Sequence, residues 1–137
     1  MEQRLSFVTL AVPDLAAERA FYVDGLGWSV ELEEPGEVVM IRIGERLVLS
    51  LWAQEHFEAE VGPVRQGPGL VPITLAHNVA TPAEVDAVLA AAAEAGSPDV
   101  SAGAPRAWGG YTGYFADPAG FRWEVAHNPG PIGQSVL

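Results

Sequence analysis

The sequence contains no cysteine. This absence excludes disulfide bridges, a thiolate nucleophile, and zinc or iron–sulfur sites that are built on cysteine. A bound metal would have to take its ligands from histidine and carboxylate side chains. The histidines are His56, His77 and His127.

Basic residues are scarce. Seven Lys and Arg stand against eighteen Asp and Glu, so the formal charge is −11 at pH 7. That charge repels nucleic-acid phosphates and anionic lipid headgroups, and we expect neither nucleic acid nor a membrane as partner. The chain also lacks the run of about 18 apolar residues that a membrane span needs, and its amino terminus has no signal-peptide pattern. We therefore expect a cytoplasmic protein.

What is present is typical of a globular domain. Apolar residues make up 49% of the chain and charged residues 18%, and 137 residues suit a single domain that spans 1–137. Alternating apolar residues and turn signals predict a strand, a helix and three strands in each of two halves. The halves cover approximately 5–53 and 70–129, and a segment with many glycines and prolines, 54–69, is expected to be the connecting loop.

Similar short stretches at equivalent places in the two halves indicate an internal duplication. Leu5–Ala11 aligns with Leu70–Ala76, and Leu49–Trp52 aligns with Trp123–Ala126. The fold class that follows is α+β, with two βαβββ modules in tandem.

The two predicted helices have recognisable start signals. Asp14 is expected to cap a helix that runs to about Asp24. Thr81 is expected to cap the second helix, with Glu84 three residues later as its capping-box partner, and that helix should end near Gly96.

The segment Tyr114–Pro129 predicts a hairpin. Asp117 can bond back to the backbone, and Gly120 tolerates a positive φ, so 117–120 reads as a tight turn. In the second strand the side chains alternate, and Glu124 lies on the less apolar face.

The sequence resembles the vicinal oxygen chelate superfamily, which includes glyoxalases, bleomycin resistance proteins and dioxygenases. The matching segments are Val12–Leu15, Phe21–Trp28 and Phe115–Glu124. The resemblance covers 5–129 and implies two βαβββ modules whose mixed sheets form a curved cleft.

The resemblance also implies where metal ligands would lie. In metal-dependent members they come from the first and last strand of each half, and the matching positions here are Phe7, Ser50, Pro72 and Glu124. Three of these four lack a ligand side chain, so we expect no metal and no cofactor.

The favoured interpretation is a metal-independent binding protein of the bleomycin-resistance type. It would sequester an aromatic or cationic small molecule, such as an antibiotic, in an aromatic cleft, and the resemblance implies a homodimer. The expected ligand-binding residues are Phe7, Met40, Arg42, Ser50, Trp52, Pro72, Trp108, Tyr111, Tyr114 and Glu124.

Two alternatives stay open at this stage. The first is an enzyme of the same superfamily, a lyase, isomerase or dioxygenase in which Glu124 is a general base or one ligand of an unusual metal site. The second is a protein that acts through a protein partner.

Overall fold

The computed structural model describes all residues 1–137 and contains two compact units, Met1–Pro68 and Gly69–Leu137. The first unit holds one four-stranded sheet in the order β1-β4-β3-β2. Strands β1 and β4 are parallel, and the other neighbours are antiparallel. The strands are β1 Phe7–Val12, β2 Val30–Glu34, β3 Val38–Gly44 and β4 Leu47–Ala53.

The helix of the first unit begins where the sequence predicts. Asp14 caps α1, Leu15–Arg19, and its Oδ1 accepts a hydrogen bond of 2.9 Å from the Ala17 N–H. The helix continues as a π-helical segment, Ala20–Gly25. Wider turns of this kind are rare, and the spacing of apolar residues does not reveal this one.

One face of the first sheet, with the residues of the helix, forms the core of this unit. Alternate residues of β1, β3 and β4 are almost completely buried, as are two aromatic side chains of the π-helical segment. This is the burial expected when one strand face packs against a helix. The residues are Leu10, Val12, Val39, Ile41, Leu49, Leu51, Phe21 and Tyr22.

The opposite face of this sheet, here called the first open face, carries the intervening residues. In the strand registers Thr9 lies opposite Ser50, and Ser50 lies opposite Met40. Because side chains alternate, neighbouring positions on these strands also project from this face. They are Phe7, Ala11, Val38, Arg42, Val48 and Trp52.

Part of the expected connecting loop is helical. The helix α2, Gln54–Glu60, follows β4 directly. Its sequence is rich in Glu, Gln and Ala, which favour helices, but its apolar residues are too few to give a visible periodicity. The expectation of a loop over 54–60 is therefore wrong.

The second unit repeats the first. Its sheet has the order β5-β8-β7-β6, with β5 and β8 parallel. Its strands are β5 Thr74–Asn78, β6 Ala104–Pro105, β7 Tyr111–Ala116 and β8 Arg122–His127. Its helices are α3 Pro82–Glu94 and the short α4 Pro131–Gln134. The two βαβββ units confirm the predicted α+β fold.

The second helix begins with the predicted capping box. The Glu84 N–H donates to Thr81 Oγ1 at 3.2 Å, and the Thr81 N–H donates to Glu84 Oε2 at 2.8 Å. The two helix caps, Asp14 and Thr81, are as far apart in the sequence as Thr9 and Ala76, which occupy equivalent places in the two sheets.

The strand registers shift the correspondence between β1 and β5 by two residues from the one that the sequence similarity suggested. In the first unit Thr9 pairs with Ser50, and in the second Ala76 pairs with Glu124. Thr9 therefore corresponds to Ala76, whereas the sequence similarity aligned it with Thr74. A repeated Thr-Leu-Ala motif led to this error, because its two copies occupy different positions along their strands.

The shift changes which residue corresponds to Phe7. Phe7 pairs with Val48, and Thr74 pairs with Arg122 at the equivalent level, so Thr74 occupies the place that the sequence assigned to Pro72. Pro72 lies before β5, in agreement with the inability of proline to donate a ladder hydrogen bond.

The hairpin of the second unit has the predicted turn. The Gly120 N–H donates to the Asp117 carbonyl at 2.9 Å, and the Phe121 N–H donates to Asp117 Oδ1 at 2.8 Å. Gly120 has φ +89°. Asp117 is completely buried, so its carboxylate stabilises the turn from within.

We predict that Asp117→Ala lowers the free energy of unfolding by about 2 kcal/mol, because a part-buried backbone N–H loses its side-chain acceptor. The measurement is the midpoint of urea unfolding at unchanged slope. Asp117→Asn, which keeps the Oδ1 acceptor, should lose less. Equal midpoints for the alanine variant and the wild type would contradict the role of this carboxylate.

Candidate functional site

The second sheet has an open face that carries polar groups. Its helix side is identified by Gly113, where an added Cβ would lie 2.4 Å from Leu89 of α3. The alternate residues of β7 and β8 therefore project from the opposite side, here called the second open face. They are Thr112, Tyr114, Ala116, Arg122, Glu124 and Ala126.

The central pair on this face is Tyr114 and Glu124. They lie opposite each other on neighbouring strands, and the Tyr114 hydroxyl donates a hydrogen bond of 2.8 Å to Glu124 Oε1. This hydrogen bond, with a smaller contribution from desolvation, raises the pKa of the Tyr114 hydroxyl above its usual value. The tyrosine therefore stays a proton donor at neutral pH, and the carboxylate is oriented by it.

Arg106 lies beside this pair. Its Nε donates to Thr112 Oγ1 at 2.5 Å, and its Nη2 donates to the Thr112 carbonyl at 3.2 Å. Its Cζ is 5.8 Å from the centroid of the Tyr114 ring, within the range of a cation–π contact. Thr112 is buried, so the guanidinium is held by a rigid part of the sheet.

A short loop between β6 and β7 carries Trp108 as well as Arg106. The Arg106 N–H donates to the Gly110 carbonyl at 2.8 Å, and the Gly109 N–H donates to the Arg106 carbonyl at 2.9 Å. A Cβ on Gly110 would lie 1.8 Å from the Trp108 indole, so the ring packs directly on this glycine. The indole is 56% exposed and is the largest aromatic surface that this loop presents.

On the first open face the central residue, Ser50, is small and buried. Ser50 is 3% exposed and lies between Thr9 and Met40 in the register. Trp52 meets Phe57 of α2 edge to face, with ring centroids 5.8 Å apart. The Trp52 Nε1 is buried and has no hydrogen-bond partner, so this face retains one unused donor.

The remaining residues of the first open face lie at its other end. Phe7 is 52% exposed. Arg42 is engaged with Glu31, at 2.7 Å between Nη2 and Oε1. This ion pair raises the pKa of the Arg42 guanidinium and lowers the pKa of the Glu31 carboxyl, so Arg42 is already occupied by a carboxylate of its own unit.

The structure separates the expected ligand-binding residues into four groups. The first open face carries Phe7, Met40, Arg42, Ser50 and Trp52. The second unit contributes Tyr114 and Glu124 from its open face and Trp108 from the loop between β6 and β7. Tyr111 lies on the helix side, where its hydroxyl donates to Asp86 Oδ1 of α3 at 2.9 Å. Pro72 lies outside the sheet.

Arg106 and Thr112 belong to the site but were not among the expected residues. The only signal in the sequence was the position of Arg106 in a loop with several glycines, next to Trp108. Their contact depends on the strand alternation across the loop, which a sequence without a known register does not specify.

The four positions at which the superfamily places metal ligands do not fit a divalent ion. By the observed registers these are Phe7, Ser50, Thr74 and Glu124, and only Glu124 has a strong ligand group. No three His, Asp or Glu side chains are grouped as a metal site would require.

A match to a protein-family model shows to which superfamily the chain is related. The model of the Glyoxalase/Bleomycin resistance protein/Dioxygenase superfamily matches residues 4–125. The chain belongs to this superfamily. A comparison with curated proteins found no match. No helix of the chain combines the length and the hydropathy that crossing a membrane requires.

Solved structures of the superfamily are similar over almost the whole chain. A glyoxalase-related enzyme from Fulvimarina pelagi is 32% identical, with 93% of this chain and 90% of the other covered and a TM-score of 0.82. A lactoylglutathione lyase from Agrobacterium tumefaciens is 26% identical, with coverages of 93% and 95% and a TM-score of 0.70. A glyoxalase/bleomycin resistance protein/dioxygenase from Nocardioides, 23% identical with coverages of 95% and 89%, shares the fold at a TM-score of 0.77.

The raised pKa of Tyr114 predicts a dependence of stability on alkaline pH. The contribution of the Tyr114 hydroxyl is fully present below the unfolded pKa of about 10 and is lost as pH rises through the higher folded value. Ultraviolet absorbance of tyrosinate should show Tyr114 titrating late, and Tyr114→Phe should remove that step. In Glu124→Gln the pKa of Tyr114 should fall towards its usual value.

Asp86→Asn is the matched control for this titration, because Asp86 raises the pKa of Tyr111 in the same way. It should lower the pKa of Tyr111 and leave that of Tyr114 unchanged. A Tyr114 titration that is insensitive to Glu124→Gln would contradict the assigned hydrogen bond.

Proposed function

We propose that the protein binds an aromatic or cationic small molecule without a metal and sequesters it, as expected for a bleomycin-resistance type of protein. The observation that carries this proposal is the state of Glu124. It is the only strong ligand group at the four superfamily positions, and its Oε1 already accepts a hydrogen bond from Tyr114. The other three positions, Phe7, Ser50 and Thr74, lack such a group, so Glu124, oriented by Tyr114, suits recognition of a ligand better than coordination of an ion.

The aromatic side chains support an aromatic ligand. Trp108 is more than half exposed, although large apolar side chains are usually buried. Tyr114 adds a ring that is fixed at its hydroxyl. Contacts of such rings with a ligand contribute about 0.5–1.5 kcal/mol each beyond the burial of area, so two or three suffice for useful affinity.

The charge distribution supports a cationic group on the ligand. The formal charge of −11 concentrates cations near the protein, and Glu124 offers an oriented carboxylate. A compound such as an antibiotic with both an aromatic system and an amine satisfies these features. Sequestration requires affinity alone, and a bound ligand stabilises the folded state by mass action.

A second candidate function is catalysis, and two observations favour it. The similar structures include a glyoxalase-related enzyme and a lactoylglutathione lyase. The Tyr114 hydroxyl and the Glu124 carboxylate place a proton donor and an acceptor on one face of the sheet, and general acid–base chemistry uses groups of these types. Glu124 would be the base in such a reaction.

One experiment separates the two functions. Purified protein is analysed for stoichiometric Zn, Ni, Mn and Fe, and its melting temperature is then measured with each metal, with bleomycin and with polyaromatic antibiotics. We expect no bound metal, no stabilisation by metals, and stabilisation by at least one aromatic compound. Turnover of a thiol adduct or a catechol with added metal, without stabilisation by any aromatic compound, would establish the enzyme instead.

The contact between the ligand and the indole is tested by Trp108→Ala. This substitution should lower the affinity for the stabilising aromatic compound about two- to tenfold. Ile132→Ala is the control, because Ile132 is also strongly exposed but lies in α4, beyond the open face. Equal effects of the two substitutions would contradict a specific role for the indole.

We also propose that the protein is a homodimer, as the resemblance to bleomycin resistance proteins implies. The apolar side chains of Leu70, Val71 and Ile73 are close in sequence and all exposed in the single chain, and contiguous exposed apolar surface commonly marks an interface. Light scattering coupled to gel filtration should give twice the mass of the 14.5 kDa chain. A monomer at all accessible concentrations would contradict this proposal.

A further inference from the structure

Arg106 differs from the other arginines in how its charge is balanced. Five of the seven basic residues, all of them arginines, lie within 4.0 Å of a carboxylate. They are Arg4, Arg19, Arg42, Arg46 and Arg122. Arg65 is exposed to solvent. Arg106 alone is half-buried and held in place by hydrogen bonds, without a carboxylate partner.

The hydrogen bonds of Arg106 leave one side of its guanidinium unused. A guanidinium has about five N–H donors, and two of them go to Thr112, through Nε and Nη2. The two donors of Nη1 and one of Nη2 remain. Because Thr112 is 1% exposed, the group cannot follow its anchor into solvent, and the free donors keep a fixed direction.

A fixed, half-buried guanidinium without a counter-ion is suited to an anion. Its planar fork matches the two oxygens of a carboxylate or a phosphonate, and its unused N–H donors can bind such a group. The protein has eighteen acidic residues, yet none of their carboxylates is within ion-pair distance of Arg106.

We propose that Arg106 is an oxyanion subsite of the second open face, which binds the carboxylate or phosphonate of an aromatic acid. This inference rests on the proposed function and narrows its ligand class. The ring of Tyr114 lies 5.8 Å from Arg106 Cζ, and Trp108 belongs to the same short loop. An acid group on Arg106 therefore places an attached aromatic ring beside these two side chains.

Glu124 extends the recognition to a second polar group. It accepts a hydrogen bond from the Tyr114 hydroxyl, whose ring Arg106 approaches, and no ion pair joins it to Arg106. A ligand that spans the two has an acidic group for Arg106 and an N–H or ammonium group for Glu124. The cationic character of the proposed ligand and the oxyanion subsite are therefore compatible within one zwitterionic aromatic molecule.

The test compares benzoate, its neutral isostere benzamide, and inorganic phosphate as probes on the full chain. Affinities come from NMR titration, in which the Nε–H signal of Arg106 reports on the subsite directly. We expect saturable binding of benzoate, with a shift of that signal, and binding of benzamide that is weaker by about tenfold or more. Inorganic phosphate should bind more weakly than benzoate because it lacks the ring.

Substitutions assign the binding to the residue. Arg106→Gln should lower the affinity for benzoate about tenfold or more. Arg106→Lys keeps the charge but loses the planar guanidinium, and it should lower this affinity less. Arg65→Gln removes the same charge from an exposed arginine and should leave the affinity unchanged. If Arg106→Gln does not fold, two measurements on the wild type still test the subsite. They are the affinities for benzoate and benzamide and the shift of the Arg106 Nε–H signal.

Three results would overturn the inference: equal affinities for benzoate and benzamide, equal affinities for phosphate and benzoate, or unchanged binding in Arg106→Gln. The outcome is separable from that of the proposed function. Benzoate discrimination at Arg106 together with metal-dependent turnover would reject sequestration and keep the subsite. Stabilisation by aromatic antibiotics, together with equal affinities for benzoate and benzamide, would reject the subsite and keep sequestration.

Discussion

The parallel pairing between the first and last strand of each unit determines which side chains share an open face. In a sheet, a shift of one residue moves every side chain to the other face, and a shift of two moves it along the same face. The pairing of Ala76 with Glu124 sets the level of the carboxylate, and the antiparallel pairing with Tyr114 then brings the hydroxyl to it. The site is thus a consequence of two ladder registers, and the loop that carries Arg106 and Trp108 adds to a face that the ladders have already ordered.

Local signals in the sequence predicted the elements well, because each depends on a few neighbouring residues. Asp14, Thr81 with Glu84, and the turn at 117–120 all have the expected hydrogen bonds. Features that depend on distant partners were less accessible. The helix at 54–60 has too few apolar residues to be periodic, and the equivalence of Phe7 with Thr74 depends on strand pairing.

The candidate site shows the same division. Glu124 was assigned to the less apolar face of its strand because the period of a strand is two, and the register brings Tyr114 opposite it. Tyr111 and Tyr114 were both expected to bind the ligand, but their odd separation places Tyr111 on the helix side with Asp86. Arg106 could not be connected to Thr112 without the loop geometry. Alternation within one strand is therefore readable from sequence, whereas contacts made across a loop are not.

The packing of the Trp108 indole on Gly110 has a consequence for sequence variation among homologous proteins. The position of the exposed ring depends on a residue that offers no side chain to a ligand, since any Cβ there would occupy the space of the ring. A change at that glycine would relocate an aromatic wall while its chemical identity stays the same. The position of this ring can thus diverge between homologous chains through a backbone position that a comparison of exposed side chains would overlook.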